Sequence, residues 1–220
     1  MVTVHYIGDS TVARNNIHSY PQTGMSQGLS LYLKEAVTIC SYAKNGRSTK
    51  SFLDEGRFAP VEAAMKPGDF LLIQFGHNDE KEDPARHTDP DTTFTENLRL
   101  FIRSARERGT KPVLITPIAR RLFDEAGNFL PGSHGAYPDA MRRLAQAENV
   151  PLVDLTIATE NFLAGLGDEP SKPLFVWPKD NTHLKPEGAV TMAGFLAEGL
   201  RALGGAYADL LAGTDEGAGI

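Results

Sequence analysis

Four short polar stretches carry side chains that could do chemistry together. Ser10 closes the apolar run Val4-His5-Tyr6-Ile7 in Gly8-Asp9-Ser10-Thr11. A hydroxyl there stands just outside a sheet edge, where open α/β folds gather reactive groups, and Ser10 reads as a nucleophile. A serine attacks only when its proton is taken, so it needs an imidazole in reach and a group that holds the imidazole. Of the six histidines, His183 follows an irregular late segment with a carboxylate at short spacing, in Asp180-Asn181-Thr182-His183. That three-residue offset lets Asp180 bond Nδ1 while Nε2 points at Ser10. Attack on a carbonyl also builds charge on its oxygen, which requires preorganised donors. Asn78 offers a side-chain amide, Gly46 a sterically open backbone N–H, and Ser10 its own N–H. The plain structural alternatives are a strand-end serine that caps a helix, and a capping acid beside a solvent-facing histidine.

Strands must carry these residues to one place. Beyond the first, apolar runs predict strands over Val37 to Tyr42, Phe70 to Phe75, Pro112 to Thr116 and Val150 to Asp154. The third is apolar almost throughout, as expected of a strand buried on both faces. Helical patterns fall between them: around Leu29 to Leu33, up to Ala64, over Phe94, Leu98, Phe101, Ile102 and Ala105, from Ala140 to Ala147, and up to Leu166. A last helix opens at Lys185-Pro186-Glu187-Gly188, with a core stripe of Ala189, Ala193, Leu196, Ala197, Leu200 and Leu203. Such alternation predicts a three-layer α/β/α domain around a doubly wound, five-stranded parallel sheet. With the flavodoxin-like order 2-1-3-4-5, Ser10 and Asn78 both face the crevice at the switch point. The expected domain spans 1–211, and 212–220 reads as a frayed tail.

Two features compete with this reading or extend it. Gly24-Met25-Ser26-Gln27-Gly28 spells the nucleophile-elbow pattern, but loop formers precede it instead of a strand, so Ser26 reads as the start of a helix. The long stretch from Pro117 to Gly135 is expected to be a lid.

Composition bounds the partners. The chain has 220 residues, 41% of them hydrophobic, enough for a full core. A net charge of -6, with scattered lysines and arginines, argues against nucleic acid and anionic membranes and in favour of a small soluble ligand. The lone Cys40 cannot form an internal disulfide and reads as a small buried hydrophobe. No leader and no apolar run of ~20 residues is present, so the expected location is cytoplasmic. Asp9, His77, Asn78, Asp79, Asp180 and His183 could instead ligate the metals of a phosphoesterase, but Ser10 would then have no role. A binding module for carbohydrate would not need this complete set of groups. No metal or cofactor is called for.

Gly8-Asp9-Ser10, Asn45-Gly46-Arg47-Ser48, Gly76-His77-Asn78-Asp79 and Asp180-Asn181-Thr182-His183 resemble, in order, the four blocks of the SGNH (GDSL-type) hydrolases. The resemblance implies Ser10 as nucleophile, His183 as base, Asp180 as its orienter, and an oxyanion hole from Gly46, Asn78 and the Ser10 N–H. Gly-Asp-Ser-Thr, Asn-Gly-Arg-Ser followed by Glu55-Gly56-Arg57-Phe58, and Phe75-Gly76-His77-Asn78-Asp79 are most similar to the rhamnogalacturonan acetylesterases within that family. Relatives there often carry Gly-Trp-Gly-Gln where this chain has Gly24-Met25-Ser26-Gln27. The implied reaction removes acetyl groups from acetylated plant cell-wall oligosaccharides, and transfer to an acceptor other than water uses the same acyl-enzyme. The implied enzyme is intracellular and trims imported oligosaccharides. Arg47, with Arg57, Arg120 and Arg121, is a candidate for pairing with a uronate carboxylate, and Trp177 for stacking on a sugar face.

Overall fold

The computed structural model describes residues 2–213. In chain order the main elements are β1 (Val2–Gly8), α1 (Met25–Leu29), β2 (Val37–Ser41), α2 (Thr49–Asp54), α3 (Ala59–Ala64), β3 (Phe70–Gln74) and α4 (Thr93–Glu107). They continue with β4 (Lys111–Ile115), α5 (Tyr137–Glu148), β5 (Leu152–Val153), α6 (Leu155–Leu166), α7 (Asp168–Ser171), α8 (Pro186–Leu203) and α9 (Gly205–Ala208). The strands form one parallel sheet, as expected from the alternation of patterns, in the flavodoxin-like order β2-β1-β3-β4-β5.

Period-two alternation sorts the strand side chains between two cores. Val4, Tyr6, Phe70, Leu72, Val113 and Ile115 pack on one face with residues of α1, α6 and α8. Ile7, Leu71, Ile73 and Leu114 pack on the other with residues of α2 to α5. On α4 the expected stripe of Phe94, Leu98, Phe101, Ile102 and Ala105 is buried in full. On α8, Met192 joins the buried stripe while Leu203 is only partly covered. Among the described residues, no helix is long and apolar enough to cross a membrane.

Several local expectations are corrected. Helix α1 starts earlier than the apolar pattern at Leu29 to Leu33, and Leu31 is left exposed. The cause is the approach of α8: a Cβ on Gly28 would lie 2.3 Å from the Ala189 carbonyl oxygen, so only glycine permits this packing. The two glycines of the elbow-like pattern therefore serve backbone packing, since a Cβ on Gly24 would meet the Ala13 carbonyl oxygen at 2.1 Å. Ser26 lies within α1. Strand β5 shrinks to two residues, and β2 ends one residue early. Because β2 lies at the sheet edge, Cys40 is half-exposed instead of buried.

The segment after β4 is no free lid. Ile118, Ala119, Arg121 and His134 are buried, and the chain between them folds back through a bridge from Phe123 to Phe129. The irregular stretch before Thr182 contains α7 and a 3-10 turn at Lys172–Leu174. Of the expected tail, 214–220 lies outside the described residues, and Ala212 N–H is pinned to the Tyr32 carbonyl at 2.9 Å.

Candidate active site

The parallel register sends β1, β2 and β3 out at one edge, and each exit turn has its own local cause. After Gly8 the Asp9 carboxylate accepts bonds from Thr11 N–H (2.9 Å) and Thr11 Oγ1 (2.8 Å), while Ala13 N–H returns to the Asp9 carbonyl at 3.0 Å. This closed turn holds Ser10 at its head. After β2, Gly46 adopts φ 79°, a left-handed conformation suited to glycine, and Ser48 then caps α2 by accepting from Ser51 N–H at 3.2 Å. After β3, buried Asp79 accepts from Thr49 N–H (3.0 Å) and Thr88 Oγ1 (3.1 Å). Asp79 thereby fastens the turn bearing Asn78 to the helix start just beyond Gly46. Burial pushes the Asp79 carboxyl up to about 7, against the pull of its bonds from Thr49 and Thr88.

These turns and the loop before α8 enclose a cavity of about 610 Å³, lined by Ser10, Gly46, His77, Asn78, Asp180 and His183 among others. His183 Nε2 lies 2.8 Å from Ser10 Oγ, and its Nδ1 hydrogen-bonds Asp180 Oδ2. The other Asp180 oxygen accepts from the backbone N–H groups of Thr182 (2.6 Å) and His183 (2.8 Å). Burial alone would raise the Asp180 carboxyl, but the bonds from His183 and Thr182 outweigh it and hold the group below its ordinary value. The result is a directed relay. An ionised acid accepts from Nδ1–H, which leaves Nε2 as the ring atom able to accept the serine proton.

Three donors around this relay are wholly or partly unspent. The N–H groups of Ser10 and Gly46 have no hydrogen-bond partner among the described residues. The Asn78 amide gives one bond to the Arg47 carbonyl at 3.2 Å and keeps its second hydrogen free. Asn78 Oδ1 faces Arg86 at 3.4 Å, which fixes the amide with its nitrogen toward the turn of Arg47.

The structure thus brings together Ser10, His183, Asp180, Gly46 and Asn78. It does not bring Arg47 or Trp177 to the cavity wall. Arg47 pairs with Glu55 at 3.1 Å and bonds the Asn45 carbonyl at 2.9 Å, so its guanidinium is committed to its own turn. Trp177 lies beneath the Arg121 guanidinium at 4.5 Å and the Lys172 ammonium at 5.4 Å, an arrangement that occupies its ring. The cavity cations are Lys81, Arg86, Arg120 and Lys179; of the four candidate arginines Arg120 alone lines the wall, and Arg57 and Arg121 do not. Sequence reasoning weighed His77 only as a metal ligand and missed Thr182; both line the cavity, inside the blocks that carry Asn78 and His183. Among the described residues, no group of three or more His, Cys, Asp or Glu side chains is arranged to share a metal ion. Ser26, outside this cavity, has a buried hydroxyl with no hydrogen-bond partner, from a histidine or any other residue.

Comparison with known proteins agrees with this geometry. The family model for the GDSL-like lipase/acylhydrolase family matches residues 6–190. The chain is 41% identical over 215 residues to rhamnogalacturonan acetylesterase RhgT of Bacillus subtilis, covering 92% of this chain and 91% of that protein. It is 38% identical over 208 residues to the probable rhamnogalacturonan acetylesterase YesY of the same organism, covering 91% and 93%. Among solved structures, YxiM from Bacillus subtilis superposes with a TM-score of 0.81 at 26% identity, over 92% of this chain and 56% of that longer one. A serine just after the first strand, four polar blocks around one cavity and a match across most of the chain lead to one assignment: this protein belongs to the GDSL-like lipase/acylhydrolase family.

Proposed function

We propose that the protein is a carboxylic ester hydrolase that removes acetyl groups from acetylated cell-wall oligosaccharides of the rhamnogalacturonan type, through an acyl-enzyme on Ser10. The observation that carries this reading is the continuous relay from Asp180 through His183 to Ser10, facing unspent donors in one cavity.

The chemistry follows from the positions of the atoms. Ser10 Oγ attacks the acetyl carbonyl carbon as His183 Nε2 takes its proton. Asp180 keeps Nδ1 protonated and stabilises the imidazolium that forms. Charge on the former carbonyl oxygen meets the N–H groups of Ser10 and Gly46 and the free hydrogen of Asn78, whose bonds strengthen as that charge develops. Collapse of the tetrahedral intermediate breaks the bond to the sugar oxygen, which leaves with the proton held by His183. Water then repeats the sequence on the acetyl-serine and releases acetate.

The sugar is supported by two observations. RhgT carries the name rhamnogalacturonan acetylesterase, and YesY that of a probable one. The cavity is polar and presents Lys81, Arg86 and Lys179, which suits an oligosaccharide bearing carboxylates. We read residues 1–211 as one domain, since both helix layers rest on the single sheet that presents these groups. Acetate release from acetylated rhamnogalacturonan, xylan and aryl acetate tests the proposal. Preferential turnover of the first is expected, and a wild-type enzyme inert toward all three would overturn it.

A further inference from the structure

The turn that carries Asp180 and His183 is held from outside by a chain of side chains. Arg120 donates to Thr182 Oγ1 at 2.6 Å and to the His77 carbonyl at 3.2 Å, and it pairs with Glu80. Glu80 in turn accepts from His134 at 3.0 Å, and the other nitrogen of that fully buried ring reaches the Ile118 carbonyl at 2.8 Å. Beside these, Arg121 N–H bonds the Asn181 carbonyl at 2.8 Å, and Arg121 itself is anchored to Ser171 Oγ at 2.9 Å and to Asp168. Burial would raise the Glu80 carboxyl, yet bonds and charge from His134 and Arg120 hold it below its ordinary value, so it stays ionised between two donors. Two adjacent residues of the segment after β4 therefore grip two adjacent residues of the turn before α8.

The Asp180 loop is tied at its base by the Phe175–Leu184 bridge and by the Val176 N–H bond to the His183 carbonyl at 2.9 Å, so the arrangement matters for the tip of the loop, 177–182. Lys179 is exposed, Asp180 and His183 are half-buried, and no regular element spans 175–185. A relay of two hydrogen bonds tolerates little displacement, since an error of about 1 Å at a reacting group can cost about 10²-fold in rate.

We propose that Arg120, braced by Glu80 and His134, is a positioning residue that sets the Asp180–His183 pair against Ser10 by gripping Thr182. This rests on the acyl-enzyme reading above and adds a role for residues outside the four blocks' reactive groups. Arg120 acts through Thr182 and donates no proton in the reaction.

The test is a pair of substitutions at each end of the grip. Thr182→Val removes the hydroxyl at nearly constant shape and Thr182→Ser restores it. Arg120→Ala breaks the chain and Arg120→Lys keeps only the charge. Thr182→Val and Arg120→Ala are expected to lower kcat on an aryl acetate by about 10²-fold with KM nearly unchanged, and Thr182→Ser to recover most of it. The downfield Nδ1–H resonance of His183, seen without substrate, should broaden or move in Thr182→Val. The loss from Thr182→Val should also shrink sharply on an Asp180→Asn background, where there is no longer a pair to align. A loss confined to KM would make Arg120 a substrate contact and overturn the proposal. So would an unchanged His183 resonance in folded Thr182→Val, or a full loss that persists beside Asp180→Asn. Wild-type activity and phosphonate labelling of Ser10 report separately on the acyl-enzyme reading.

Discussion

Two histidines face the cavity beside Ser10, and the chain surrounds them with opposite environments. His183 is half-buried, has a carboxylate on one nitrogen and a hydroxyl at 2.8 Å on the other. His77 is buried, and neither of its ring nitrogens has a partner. Burial, reinforced by the Arg120 guanidinium and the neighbouring His134 ring, holds it well below the ordinary histidine value, so it stays neutral. Its ring packs edge-on against His134 at 4.3 Å. The comparison separates proximity from function. A base needs a group that sets its tautomer and supports the charge it acquires, and only His183 has one.

That contrast can be broken most directly at the bases themselves. His183→Gln should lower kcat by about 10⁴-fold or more, and His77→Phe, which keeps an aromatic ring against His134, should leave turnover within a few-fold of wild type. Steady-state kinetics on an aryl acetate checks both, and the reverse order would assign the base to His77. Next in size is Asp180→Asn, expected to cost about 10⁴-fold through the wrong tautomer and an unsupported imidazolium. An unaffected kcat in that variant would detach Asp180 from the relay.

A smaller loss sharpens the comparison on the donor side. Asn78→Ala should lower kcat by about 10²–10³-fold with KM nearly constant, because its second amide hydrogen finds a partner only when the oxygen becomes charged. A turn asparagine without that role would shift stability by about 1 kcal/mol and spare catalysis.

The smallest effect concerns stability. The Asp79 carboxyl is raised from 3.8 to about 7 by burial, so the folded chain binds a proton there that the unfolded chain has released. Its contribution is present below about pH 4 and is lost as pH rises toward 7. Asp79→Asn imitates the protonated acid, with an amide in place of the unpartnered Oδ2, and should flatten the fall in Tm between those values. Thermal unfolding followed across that range checks the sign.

What was legible in the sequence follows from how local each cause is. The parallel sheet was legible in the alternation of apolar runs with helical stripes, since each run buries its own side chains, while the order 2-1-3-4-5 was one of the doubly wound orders that alternation allows. Ser10, Gly46 and Asn78 were legible because each lies in the turn after a strand, where chain direction sets the sheet edge, and Asp180 and His183 because their three-residue spacing lies in the loop before the last helix. Arg47 was misplaced because a guanidinium goes to its nearest acid, here Glu55, and that choice depends on the folded turn. Trp177 was misplaced for a similar reason: its cationic cover comes from Arg121, distant in sequence. The start of α1 was hidden because the approach of α8 to Gly28 is a contact between segments some 160 residues apart, on the order of the distance at which local pattern carries no signal. The grip of Arg120 on Thr182 had no sequence signature either, since arginine and threonine are common surface types.

The central claim is that Ser10 Oγ is the atom that carries the acyl group, and a covalent probe tests it without reference to any sugar. The folded protein treated with a hydroxyl-directed alkyl phosphonate and digested for mass spectrometry should yield one adduct, on the peptide containing Ser10. His183→Gln treated in the same way should yield none in the same time. An adduct on Ser26, or equal labelling of both proteins, would contradict the account.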